Sequence, residues 1–249
     1  MGIVRELGPT IVGVLVLAAL ATAVLALYRV PHRWSPLLAV LRGAVQLAAI
    51  SLILAGVITS PVWVGVALAV MFCVAATTAT RRVGWSREHA VMMASAMALG
   101  IAVTLTVVFV SGAIEFSARY VLAIGGIVVG NAMSIATLAG RRFTEAVDGH
   151  WDEVEGWLAL GATPRQSTLQ LARGAVYGAL IPAVDQTKTT GLVTLPGAFV
   201  GAIFGGVSPL EAGRFQVVVL AAIMAAGAIT AVVVAAWLAP VRQRPAELG

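Results

Sequence analysis

The sequence predicts an all-α, polytopic membrane protein with about seven transmembrane helices and a cytoplasmic amphipathic helix. Three observations carry that prediction. Of the 249 residues, 60% are hydrophobic and 11% charged, against roughly 45–50% and about 25% in a soluble domain. Apolar runs of about the 20 residues needed to cross a bilayer recur along the whole chain. The arginines between those runs fall mostly on one side.

So few charges cannot cover a water-facing surface, which excludes a soluble globular protein. High hydrophobicity excludes disorder. The formal net charge is +5. Basic residues flanking spans on the cytoplasmic side account for it, so no nucleic-acid partner is implied. Cys73 is the only cysteine, so no intrachain disulfide or redox motif exists. His32, His89 and His150 are too dispersed for a histidine-based metal cluster.

Span 1 covers 10–28. Its start resembles a signal peptide, and Ala21, Thr22 and Ala23 mimic a cleavage site. The apolar run is long for a signal, and Arg5 and Glu6 cancel, so we read a retained span. Span 2 covers 36–58. Span 3 covers 62–80 and stops at Arg81 and Arg82. Spans 4 and 5 cover 91–110 and 120–138, the latter stopped by Arg141 and Arg142. A polar stretch follows, then span 6 over 189–204 and span 7 over 215–239, stopped by Pro240. Eleven arginines then lie on one side (29, 33, 81, 82, 87, 141, 142, 165, 173, 242, 244) and three on the other (5, 119, 214). This bias puts the N-terminus outside and the C-terminus in the cytoplasm. We read residues 1–249 as one transmembrane domain of a multi-pass inner-membrane protein, with 141–175 as its cytoplasmic segment.

Within that segment, Phe143, Val147, Trp151, Val154 and Leu158 recur every three or four positions. They mark one face of a helix over 141–160. The opposite face carries Glu145, Asp148, Asp152, Glu153 and Glu155. An anionic leaflet would repel that face, so docking to a partner or packing under the bundle are the two readings. Next, Gly161 can take the left-handed conformation that closes a helix. Ala162 and Thr163 follow; Thr163 is an N-cap, Pro164 fits the first helical position, and Gln166 completes a capping box. The result is a short, stiff elbow able to transmit force. Its sequence EGWLALG (155–161) resembles the E-A-A-x-x-x-G coupling loop of ABC transporter permeases. No G-x-x-x-x-G-K-[ST] loop occurs, and Lys188 is the only lysine, so ATP and magnesium would sit on a separate ATPase subunit.

Ionisable groups inside spans are functional hypotheses by default. Asp185, Gln186 and Lys188 sit at the cytoplasmic entry of span 6, as pathway residues or as a solvated boundary pair. Arg42, with Gln46 one turn on, either snorkels to the interface or pairs with Asp185. Pro196 should break span 6 near Leu195. Gly197, Gly201 and Gly205 then recur every four residues, for helix packing or for a broken helix lining a pathway. Span 5 repeats the theme with Gly126 and Gly130, followed by Asn131, Met133 and Ser134. Beyond span 4, Glu115 is exposed on the outer side, as is Glu211 before span 7.

Five stretches together resemble the FetB-type permeases, ABC membrane subunits implicated in iron export. They are SGAIEF (111–116), GNAMS (130–134), LGATPRQ (160–166), ALIPAVDQTKTTGLVTLPG (179–197) and GGVSPLEAGRFQ (205–216). The resemblance covers nearly the whole chain. It implies a homodimer in membrane lipid, paired with two ATPase subunits and exporting iron or another transition metal. Glu115, Asn131, Met133, Asp185 and Lys188 match the family pattern. Ala198 and Phe199 stand where the family typically has a methionine pair, which leaves the metal ligands unknown. A different ABC cargo, a hydrophobic molecule or a metabolite, keeps the same machinery. A secondary transporter would leave the capped elbow unexplained. No catalytic residue is expected; motifs of an intramembrane hydrolase are absent from the sequence.

Overall fold

The computed structural model describes residues 2–57 and 60–244, with side chains over 8–51 and 60–244. Among the described residues, the regular structure is helical. The chain divides into two compact units, Met1–Thr59 and Ser60–Gly249.

The first unit is a pair of helices, α1 (Gly2–Leu27) and α2 (Ser35–Val57). A tight connection joins them, with Arg29 and His32 both at φ 58°. Residues 8–27 of α1 are long and apolar enough to cross a membrane. The end of span 2, Ile58, lies outside the described residues.

The second unit holds α3 (Pro61–Val83), α4 (Arg87–Val110), α5 (Ala118–Gly149), α6 (Trp151–Ala159), α7 (Pro164–Ser167), α8 (Leu169–Thr189), α9 (Gly197–Phe204) and α10 (Pro209–Leu238). Local chemistry starts its long helices. Ser86, Ser117 and Ser208 accept from the backbone N–H of His89, Tyr120 and Glu211, and Pro61 and Pro209 occupy first-turn positions where no N–H is needed. Helices α3, α4, α5 and α10 are each long and apolar enough to span.

Small residues let these helices close up. A Cβ on Gly100 would stand 2.6 Å from the Ala226 carbonyl oxygen and the Thr230 hydroxyl; one on Gly140 would stand 2.9 Å from Val83. Gly227 lies against Ile135 and Leu180. The core between them is fully buried at Met92, Met93, Met97, Ile124 and Val128. These pairings set directions. Phe215 stacks near Tyr120 at 5.7 Å and Arg244 meets Asp148, so α5 and α10 run parallel. The Thr168 hydroxyl donates to the Ala239 carbonyl at 2.7 Å, so α8 runs antiparallel to α10. One end of the bundle therefore gathers the C-termini of α3, α5 and α10 with the N-termini of α4 and α8.

Two expectations are corrected. Span 6 is not a helix over 189–204. Helix α8 occupies the bundle instead, and it ends at Thr189. An irregular stretch follows, and α9 is only 8 residues long. Lying across the bundle surface, α8 carries Arg173, Asp185 and Lys188, which hid it from a hydropathy reading. The helix expected over 141–160 is also interrupted. Helix α5 runs through to Gly149, the chain bends at His150 (φ −122°, ψ 30°), and α6 begins at Trp151.

A candidate coupling elbow and membrane path

At 32 residues, α5 is about 48 Å long, well beyond a hydrocarbon core of roughly 30 Å. Its projecting end carries the elbow. Phe143 and Val147 are buried there with Ala172, Ala175, Ala235 and Ala239, and Trp151 packs against them. Val154 is fully buried as well. The apolar stripe thus seats the segment on the end of the bundle, while Glu145, Asp152, Glu153 and Glu155 stay exposed. Arg244 Nε donates to Asp148 Oδ1 at 2.7 Å, tying the tail after α10 to the end of α5.

Backbone bonds close the turn between α6 and α7. Gly161 sits at φ 90°; its N–H donates to Leu158 O, and the Ala162 N–H donates to Trp157 O, both at 3.0 Å. This six-to-one, five-to-two pair is the Schellman closure, and it requires a left-handed residue at Gly161. The capping box is present: Gln166 N–H donates to Thr163 Oγ1, and Thr163 N–H donates to Gln166 Oε1 at 2.8 Å, with Pro164 as the first helical residue. Thr168 Oγ1 also approaches Pro164 O at 3.2 Å. The elbow is therefore fixed at both ends and pinned to α10.

Its crest is apolar. Trp157 is 52% and Leu160 83% exposed. They border a cavity of about 510 Å³ with Glu153, Gly161 and Gln166. An exposed tryptophan and leucine on a rigid support, rimmed by carboxylates, is the composition of a protein-docking patch. The three-or-four spacing over 141–160 singled out the buried face and missed Trp157 and Leu160; their place just before a helix-closing glycine was the available signal.

Toward the far end of the bundle, Asp185 and Lys188 are exposed on the C-terminal part of α8, with Oδ1 and Nζ 3.9 Å apart. They are sixteen or more residues beyond the elbow end of α8, about 24 Å along the helix. They do not lie at the start of a helix, as expected from the sequence, because the helix that carries them begins at Leu169. Tyr177, 71% exposed, shares this outward face. Asn131 Nδ2 donates to Ile127 O at 2.9 Å and Ser134 Oγ to Gly130 O at 3.2 Å, so α5 satisfies both within itself. Met133 is half-buried and Glu115 exposed. Arg42 and Gln46 lie on α2, exposed within the first unit.

The glycines expected to serve helix packing or to line a pathway differ in their surroundings within one chain. A Cβ on Gly126 would touch Met71 at 3.1 Å, but Gly130, Gly197 and Gly201 face open space, and Gly205 meets only carbonyls of its own turn. Within one chain the other close approaches are made by Gly100, Gly125, Gly140, Gly178 and Gly227. Pro196 does not break a running helix near Leu195: α8 has already ended at Thr189, and Pro196 is the N-cap of α9. Upstream, Thr189 and Thr190 hydroxyls donate to the Asp185 and Gln186 carbonyls at 2.9 and 2.7 Å, and Gly191, at φ 91°, donates to Thr194 O at 2.8 Å. A cavity of about 270 Å³ lies between this stretch and α10, bordered by Thr190, Leu195, Phe199 and Gln216. Gln216 is 6% exposed, and its Oε1 has no hydrogen-bond partner. Thr104 Oγ1 is likewise buried and unpaired. Neither was singled out from sequence; a lone amide in the apolar run of α10 was the signal. Among the described residues, no three His, Cys, Asp or Glu side chains converge on one point.

Residues 10–241 match the model of an uncharacterised protein family, UPF0014. The chain belongs to this family. Among UPF0014 relatives, the membrane protein STAR2 of Oryza sativa subsp. japonica is 35% identical over 86% of this chain and 76% of its own. Aluminum sensitive 3 of Arabidopsis thaliana is 35% identical over 68% and 62%. The probable iron export permease protein FetB of Escherichia coli is 36% identical over 55% and 53%. The resemblance to FetB-type permeases therefore holds at the level of the family. No solved structure matches the chain.

Proposed function

We propose that this chain is the membrane-spanning permease subunit of an ATP-driven exporter. It works as a homodimer with two copies of a separate ATPase and moves iron or another transition-metal cation out of the cell. The observation that carries the reading is the doubly capped elbow, which holds Trp157 and Leu160 rigidly beyond the end of the bundle. The name of its bacterial relative, an iron export permease, supports the same reading.

The elbow end faces the cytosol. Nine of the second unit's eleven arginines (81, 82, 87, 141, 142, 165, 173, 242 and 244) belong to that end, and only Arg119 and Arg214 to the other. Nucleotide binding draws the ATPase pair together and shifts α6 and α7. The Thr168–Ala239 and Asp148–Arg244 links pass that shift to α8 and α10. On the outward face of α8, Asp185 is the carboxylate available to a cation, and the irregular stretch after Thr189 supplies backbone able to rearrange. Ala198 and Phe199 put no sulfur after Pro196, which favours a second reading of the cargo: a hard cation or a metabolite in place of a soft metal ion.

The test replaces Trp157 and Leu160 by alanine and measures ATPase association and ATP-dependent efflux from vesicles. Both side chains are exposed, so folding should persist while association and efflux fall together. Unchanged association would remove the elbow from the coupling role. Comparing efflux of several metals in the wild type identifies the cargo.

A further inference from the structure

Next to the elbow, α8 and α10 leave a groove of about 520 Å³ between them. Its walls are apolar, formed by Leu169, Val176 and Leu180 on one side and Val232, Ala236 and Ala239 on the other. Two basic groups border it, Arg165 from α7 and Arg173 from α8. Both are exposed. Neither takes part in an ion pair; the pairs among the described residues are Lys188–Asp185 and Arg244–Asp148. No carboxylate borders the groove.

We propose that this groove binds an acidic phospholipid of the cytoplasmic leaflet, its phosphate held by Arg165 and Arg173 and an acyl chain lying between α8 and α10. Guanidinium groups bind phosphate oxygens through paired N–H donors, and basic pockets between membrane helices on the cytoplasmic side take anionic headgroups. The headgroup height fits, since the Thr168–Ala239 bond places the groove mouth at the elbow end of both helices. A second copy of the chain is a poor occupant. A two-fold contact must be self-complementary, and this patch offers two cations and no anion. A bound headgroup would bridge the elbow, through Arg165, to the bundle, through Arg173, and would hold the elbow in register. The leaflet assignment rests on the proposal that the elbow faces the cytosol.

The experiment uses the purified full chain in detergent, without ATPase or nucleotide, offered phosphatidylglycerol and phosphatidylcholine in competition and read by native mass spectrometry. Phosphatidylglycerol should be retained preferentially. Arg165→Gln with Arg173→Gln should weaken it, about fivefold for each charge and about thirtyfold together. Arg82→Gln with Arg87→Gln, at the same end, should leave retention unchanged. Ala236→Trp, which fills the groove with both arginines intact, should also abolish it, so the result does not depend on one variant folding. Equal retention of the two lipids, wild-type retention in the Arg165/Arg173 variant, or retention in Ala236→Trp would each overturn the proposal. So would a disulfide-linked dimer through Ala236→Cys in a Cys73→Ala background. Binding read this way is independent of transport: failed ATP-driven efflux would sink the permease reading alone, and absent lipid preference the groove alone.

Discussion

The Thr168 hydroxyl donates to the Ala239 carbonyl across 71 residues of chain, at 2.7 Å, with Thr168 fully buried. Ala239 caps α10, so its carbonyl has no partner within the helix. Thr168→Val keeps the shape and removes the donor. The Val241 N–H also donates to the Ala239 carbonyl, at 2.8 Å, so the variant loses one hydrogen bond and leaves no orphaned acceptor, at a cost of about 0.5–1.5 kcal/mol. We expect a lower melting temperature and, under the proposed coupling role, lower ATP-dependent flux because the elbow is then pinned less firmly. Flux that falls only in proportion to the loss of folded protein would assign Thr168 to stability alone.

The glycines divide into two groups that can be told apart by one methyl group. At Gly100 a Cβ would meet the backbone carbonyl of Ala226, which cannot step aside. Gly100→Ala should therefore destabilise by about 1–3 kcal/mol, the usual cost of overpacking. At Gly201 nothing lies within 4 Å. Gly201→Ala should stabilise the isolated chain by about 0.5–1 kcal/mol, the backbone-entropy difference in a helix. Thermal unfolding in detergent reads both. A large loss at Gly201 in the assembled transporter, absent from the isolated chain, would locate a partner helix there.

The elbow was legible in the sequence because each signal is local: Gly161, Thr163, Pro164 and Gln166 act on backbone groups within a few residues. The spans were legible where apolar content and helicity coincide, as in α4 and α10. They part company after Gln170. Helix α8 is helical but carries Arg173, Asp185 and Lys188, while residues 190–196 are apolar but contain Gly191 and Pro196, which end and restart helices. Hydropathy reports what an element can be buried against and says little about its backbone. Close approaches at Gly100, Gly140 and Gly227 were illegible because a tertiary neighbour alone defines them. Asp185 and Lys188 were expected at the start of a helix over 189–204 and stand instead in the last turns of α8, a direct consequence of the shifted helix.

Asp185 and Lys188 form a loose pair at 3.9 Å with both side chains largely exposed. Solvent screening leaves such a pair little weight in stability. Asp185→Asn and Lys188→Met should therefore unfold at the wild-type temperature and still assemble with the proposed ATPase partner. A carboxylate serving a cation would be missed in flux, so Asp185→Asn should lower transport and raise the cargo concentration needed for half-maximal rate. Wild-type flux in both variants would make the pair a solvated boundary feature.

Gln216 offers a sharper contrast, because stability and transport should move in opposite directions. Its Oε1 is buried without a partner beside the 270 Å³ cavity at the break between α8 and α9. An uncompensated amide costs roughly 1–3 kcal/mol in protein interiors. Gln216→Leu removes that cost at similar volume, so the melting temperature should rise. An acceptor kept at such cost has a use if a donor or a cation visits the cavity during the cycle, and flux should then fall. Gln216→Glu sharpens the reading: a charge there should strengthen retention of a cation and slow its release. A rise in melting temperature with unchanged flux in Gln216→Leu would remove the cavity from the transport path, and a fall in melting temperature would mean that the amide is held by water the protein needs.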